Sequence, residues 1–141
     1  MYTVLGATGN IGSVVTRTLL ERGEKVRVFG RHGGRLQTFV QKGAEAFVGD
    51  VADAKALTEA LIGARAAFLM IPPSMRSPDY RADQERATDA ISIAAKNAGL
   101  RYAVNLSSIG AHVPARTGPI LGQHFSEQKL NAIDRLVKAG Q

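Results

Sequence analysis

No cysteine occurs among the 141 residues. Disulfide frameworks, thiol nucleophiles and thiolate-bound zinc are thereby excluded, and the chain suits a reducing cytosol. Long apolar runs are missing too, none approaching the ~18 residues of a membrane span. The start MYTVLGATG lacks the basic segment of a secretory signal. Both absences lead to the expectation of a soluble, cytoplasmic protein with no membrane partner. Aromatic residues are scarce at 6%, and the net charge of +6 is spread over positions such as Arg17, Arg22, Arg27, Arg65, Lys96 and Lys138. With neither stacking aromatics nor a basic cluster, nucleic acid is not expected as a partner. A metal site is not expected either.

At 45% apolar and 21% charged, the composition is that of an ordinary folded chain. Its length suits one domain over residues 1–141, able to bury roughly two-thirds of the surface its unfolded form exposes. Tyr2 to Leu5 reads as a strand that stops at a glycine. Ile11, Val14, Val15, Thr18 and Leu19 then recur at helical spacing until Gly23 ends the run. Lys25 to Phe29 gives a second strand, Arg35 to Lys42 a short helix behind Gly33 and Gly34, and Ala44 to Val48 a third strand. Asp53 is placed to cap a helix over Ala54 to Ile62. Ala66 to Ile71 is continuously apolar, as a parallel strand covered on both faces must be. A long helix over Asp79 to Asn97 buries Ala87, Ile91, Ala94, Ala95 and Ala98, and Tyr102 to Leu106 makes a fifth strand. The loop from Ile109 to Gly122 precedes a last helix over Gln123 to Lys138.

Strands alternating with helices imply right-handed βαβ crossovers and a doubly wound parallel α/β sheet, a Rossmann arrangement with strand order 3-2-1-4-5. Ligands of such sheets lie beyond the carboxyl ends of the strands, where the order switches between the first and fourth.

The stretch VLGATGNIGSVV occupies the first of those ends. A diphosphate needs unpaired backbone N–H groups and the positive end of a helix dipole, and any Cβ there would stand in its way. Gly6 permits the tight turn, Gly9 the approach of phosphate and Gly12 the close packing of helix on sheet. Thr8, Asn10 and Ile11 add donors. No Gly-Lys-Ser/Thr closes the motif, so a mononucleotide P-loop is excluded. After the second strand Arg31, with His32 and Arg35 behind it, replaces the acid that a free ribose hydroxyl would call for. A guanidinium there pairs with a phosphate, so NADP(H) is expected in preference to NAD(H). Asp50 after the third strand either accepts from the adenine amino group or starts a turn.

Together, GATGNIG, the Gly30-Arg31 pair, GDVAD after the third strand and LSS after the fifth resemble the NmrA-like atypical short-chain dehydrogenases along the whole chain. Within that group the similarity is greatest to the NADPH-dependent quinone reductases, HFSEQKL included. The resemblance implies hydride transfer from NADPH to a small molecule, a quinone or carbonyl compound, or else redox sensing without turnover. It assigns cofactor contacts to Gly6, Thr8, Gly9, Asn10, Ile11, Gly12, Arg31 and Asp50, and near Ile71 and Ser107. Short-chain dehydrogenases pair a serine with Tyr-x-x-x-Lys, whereas here Phe125 stands four residues before Lys129 and has no proton to give. Lys129, with Ser107 or Ser108, is left to polarise the acceptor, unless the serines only form turns. His124 and Tyr80 are the candidate stand-ins for the missing acid. A further departure is that the sixth strand and substrate-covering region of the family are expected to be absent. The fifth strand then becomes an edge open to a homo-oligomer, and the chain is read either as a natural truncation, as one completed by a partner subunit, or as a fragment that binds nucleotide and does little else.

Overall fold

The computed structural model describes residues 1–72, 77–107, 128–130, 132 and 137–138. Strands β1 (Tyr2–Leu5), β2 (Val26–Gly30), β3 (Glu45–Val48), β4 (Ala66–Leu69), β5 (Tyr102–Asn105) and β6 (Val137–Lys138) form one sheet in the order β3-β2-β1-β4-β5-β6. Every neighbouring pair is parallel. Helices α1 (Asn10–Glu21), α2 (Gly33–Val40), α3 (Ala54–Leu61) and α4 (Tyr80–Asn97) make the crossovers. The expected Rossmann order is therefore present, with the switch between β1 and β4.

Side chains alternate across the sheet and feed two apolar layers. Val4, Val26, Val28 and Phe68 pack with Leu36 and Phe39 of α2 and with Val15 and Leu19 of α1. On the opposite face Leu5, Phe29, Leu69 and Ala103 meet Leu57 and Leu61 of α3 and Ile91 and Ala94 of α4. Two buried hydroxyls inside these layers are satisfied by backbone carbonyls: Thr3 donates to Ala60 at 3.0 Å, and Thr16 to Gly12 at 2.8 Å. Arg27 reaches from β2 to the end of α3. Its guanidinium donates to the Ala60 and Ile62 carbonyls at 2.7 and 3.2 Å while pairing with Glu45, so it closes the helix terminus and ties β2 to β3.

Several boundaries differ from the sequence reading. Helix α2 begins two residues early, at Gly33, where a Cβ would come within 3.2 Å of Val48 Cγ2, a tight contact with an exposed side chain. The fourth strand ends at Leu69 instead of Ile71 and the fifth at Asn105 instead of Leu106. The sixth strand, expected to be absent, is present as Val137–Lys138, paired with Tyr102 and Ala103 of β5. These two residues were assigned to the end of the last helix. Two residues carry no period of their own, and here pairing with β5 gives their backbone groups partners that decide the matter. Helical residues are described at Gln128–Leu130, and the start of that helix at Gln123 lies outside the described residues. The sheet edge thus moves outward from β5 at Tyr102 and Ala103.

Candidate functional site

Gly6 turns the chain out of β1 with φ of +67°, a conformation side chains rarely adopt, and a Cβ there would lie 2.9 Å from Met70 Cγ and nearer still to its sulfur. At Gly12 a Cβ would lie 2.7 Å from the Gly6 carbonyl carbon and nearer still to its oxygen. Glycine at this buried position lets the first turn of α1 rest directly on the loop backbone. Gly9 differs. Its Cβ would meet only the Gly6 oxygen, at 3.3 Å, so the local packing does not strictly demand glycine there.

Gly9 is also the N-cap of α1 and no side chain caps that helix, nor does one cap α2 behind His32. The contrast lies with α3 and α4. Asp53 accepts from the N–H groups of Lys55 and Ala56, and Asp79 from that of Ala82. Both uncapped helices carry no acid in their first turn, so their opening N–H groups and positive dipole ends remain available to an anion.

A cleft of about 150 Å³ lies against the start of α2 and the loop that leads from β1 into α1, its walls including Gly6, Thr8, Arg31, His32, Arg35 and Met70. A second cleft, of about 220 Å³, is bounded by Arg31, Asp50, Ile71, Asp83, Gln84 and Arg86 among others. Arg31, Val51 and Pro72 belong to both. Neither volume alone reaches the ~300 Å³ at which small-molecule pockets begin, but an extended ligand running past Arg31 would occupy the two together. Polar groups of both kinds and the exposed Arg31 side chain face that path.

Of the residues singled out from the sequence, Gly6, Thr8, Arg31, Asp50 and Ile71 border these clefts. Gly9, Asn10, Ile11 and Gly12 form the adjoining start of α1. One oxygen of Asp50 accepts from the Ala52 N–H at 2.8 Å, so the turn-forming alternative describes at least half of its carboxylate. The groups expected to work on a substrate are not gathered there. Lys129 Nζ is ion-paired with Asp89 of α4 and borders neither cleft. Ser107 is exposed just beyond β5, while Ser108, His124 and Phe125 lie outside the described residues. No group of three or more metal-ligating side chains occurs among the described residues. Nor, among these, is any helix long and apolar enough to cross a membrane.

Tyr80, at the start of α4, has an enclosed hydroxyl with no hydrogen-bond partner among the described residues, and burial raises its pKa above the ordinary 10.0. The phenol is therefore neutral at physiological pH. Its contribution to stability is fully present below pH 10.0 and is lost as pH rises through the higher folded-state value, because the unfolded phenol ionises first. Tyr80→Phe is expected to lack that alkaline loss and to melt no lower than the parent at neutral pH. Thermal melts of both proteins from neutral pH to beyond about 10 check this, and a large drop for the variant at neutral pH would reveal a partner for the hydroxyl.

Gln84 was missed in the sequence. Its signal was visible, since it sits three residues before Ala87 and seven before Ile91 on the face of α4 that is otherwise apolar and buried.

A family model described as NAD(P)H-binding matches residues 6–139. The sterol demethylase protein B of Methylococcus capsulatus is 34% identical over 113 residues, covering 77% of this chain and 34% of the relative. The NAD(P)H azoreductase of Xenophilus azovorans is 30% identical over 126 residues, 88% of this chain and 42% of the relative. The chain thus spans between about a third and two fifths of the length of these curated relatives. Among solved structures, the NADPH complex of the NADPH-dependent quinone oxidoreductase QOR2 from Escherichia coli superposes with a TM-score of 0.74 over 98% of this chain and 47% of that one. At 22% identity that likeness establishes a common fold.

Proposed function

The chain belongs to the NAD(P)H-binding oxidoreductase family, of the NmrA-like atypical short-chain dehydrogenase kind, and from that premise we propose that it binds NADPH in preference to NADH and reduces a small-molecule acceptor of the quinone or carbonyl class. The observation that carries the reading is a cleft between the uncapped start of α2 and the loop leading into the uncapped α1, with Arg31 shared between it and its neighbour. The backbone N–H groups of Asn10, Ile11 and Gly12, with Thr8, would hold the diphosphate. Gly9 leaves the room a Cβ would take. Arg31, backed by His32 and Arg35, would pair with a ribose phosphate through parallel N–H bonds. Ile71, nearly fully buried, presents an apolar wall to the second cleft. When bound, NADPH supplies the hydride.

What this chain's own residues add at the acceptor is positioning and polarisation, by Ser107 or Ser108 and by Lys129 once released from Asp89. The engagement of Lys129 by Asp89, together with phenylalanine where the family places its tyrosine, favours a second reading in which the chain senses the redox state of the nucleotide without turnover. One experiment separates them. NADPH oxidation is expected to rise above background with quinone acceptors, and with an azo dye as the relative's name suggests, at saturating nucleotide. Tight NADPH binding without any turnover favours the sensing reading, provided that NADP+ and NADPH bind with different affinity.

A further inference from the structure

Gln84 is 2% exposed, and its amide oxygen Oε1 has no hydrogen-bond partner among the described residues. Its amide nitrogen donates to the Pro72 carbonyl at 3.4 Å. Turning the amide over would set two oxygens against each other, so Oε1 is the end left over. Thr88 on the same helix is satisfied, donating to the Gln84 backbone carbonyl at 2.7 Å, whereas the Tyr80 hydroxyl one turn earlier shares the unpartnered state of Gln84 Oε1. A buried acceptor without a donor is costly, and chains keep one where something else supplies the donor. Gln84 borders the second cleft beside Arg31, Asp50 and Ile71. One Asp50 oxygen is already engaged by the Ala52 N–H, and Asp83 pairs with Arg86 on the helix surface.

We propose that Gln84 is a base-reading residue: its Oε1 accepts an N–H from the exocyclic amino group of the adenine ring, so that the second cleft admits a 6-aminopurine and rejects a 6-oxopurine. This rests on the NADPH reading above. It adds to that reading the group that senses which base the nucleotide carries. A 6-oxopurine offers the Gln84 carbonyl another oxygen in place of a donor. A site built to pair with a hydrogen-bonding group discriminates strongly against the analogue that lacks it, because the buried partner is then left unmet.

The test is an equilibrium titration, by nucleotide fluorescence or calorimetry and with no acceptor present, of the chain with NADPH and with its hypoxanthine analogue. The parent is expected to bind NADPH on the order of tenfold more tightly. Gln84→Met keeps the length of the side chain and removes the acceptor, so its two affinities are expected to converge. Gln84→Glu keeps an acceptor and is expected to retain the preference for adenine. Equal affinities in the parent overturn the proposal without touching the cofactor reading, and this arm needs no variant to fold. An undiminished preference in Gln84→Met also overturns it and moves base recognition to Asp50 or the backbone. Failure of the parent to bind either nucleotide removes the cofactor reading itself, and the proposal with it.

Discussion

Gly12→Ala is expected to destabilise the chain by about 3 kcal/mol or more, the upper range for forcing atoms into a packed interior. The added Cβ would lie 2.7 Å from the Gly6 carbonyl carbon, and what it meets is backbone on both sides. A flexible side chain could swing away, but neither the first turn of α1 nor the turn after β1 can do so. Gly6 is itself held at φ of +67° against Met70. Gly9→Ala serves as the control. Its nearest contact is the Gly6 oxygen at 3.3 Å, which a few tenths of an ångström of movement relieves. That variant is expected to melt close to the parent while NADPH affinity falls tenfold or more, roughly 1.4 kcal/mol, because the methyl group takes the space where a phosphate would meet the N–H groups of α1. Thermal melts and nucleotide titrations on the two variants provide both readouts. A Gly12→Ala protein as stable as the parent would mean that the helix does not rest on the loop as described. A Gly9→Ala protein with undiminished affinity would place the diphosphate elsewhere.

The contrast between these glycines marks how much could be read before any coordinates. Strand order followed from the alternation of β-type and helical periodicity, since right-handed crossovers leave few other ways to cover a parallel sheet. The caps were equally local: Asp53 precedes an apolar-periodic run by one residue, and its carboxylate does accept from the N–H groups two and three residues on. Gly6 and Gly12 belong to the same class because strand end, turn and helix start are neighbours in sequence. Contacts between distant segments were not legible. Lys129 meets Asp89 across 40 residues of chain, and nothing near either residue announces the other. The sixth strand was lost for a related reason, since two residues carry no period and their state depends on β5. With Asp50, the residue type fits two duties, and only the position of the Ala52 N–H shows which one part of its carboxylate performs. Gln84 falls between these cases. A polar residue on an apolar helix face could have been noticed, but its unmet oxygen and its place beside Arg31 emerge only once α4 is laid against the end of β4.

Arg31→Ala is expected to abolish the preference for NADPH over NADH, lowering NADPH affinity by roughly ten- to a hundredfold and leaving NADH within about twofold. The range follows from the ~1.5–3 kcal/mol carried by hydrogen bonds to charged groups. Arg31 is the side chain best placed for this: it follows β2, it is exposed, and it borders both clefts, whereas Arg35 and His32 border only the first. Because it is exposed, its attraction for a phosphate is open to screening. The parent's preference should therefore shrink as salt shortens the Debye length from about 10 Å at 0.1 M to about 3 Å at 1 M. Arg31→Lys should fall between parent and alanine, since an ammonium keeps the charge but lacks the planar fork that meets two phosphate oxygens at once. Titrations with both nucleotides at two salt concentrations measure each of these effects. If the preference survives in Arg31→Ala and disappears in Arg35→Ala, the phosphate is held at the start of α2 rather than at the end of β2. If the parent binds both nucleotides alike, the guanidinium serves the surface only, and the first cleft takes a dinucleotide whose ribose carries no phosphate.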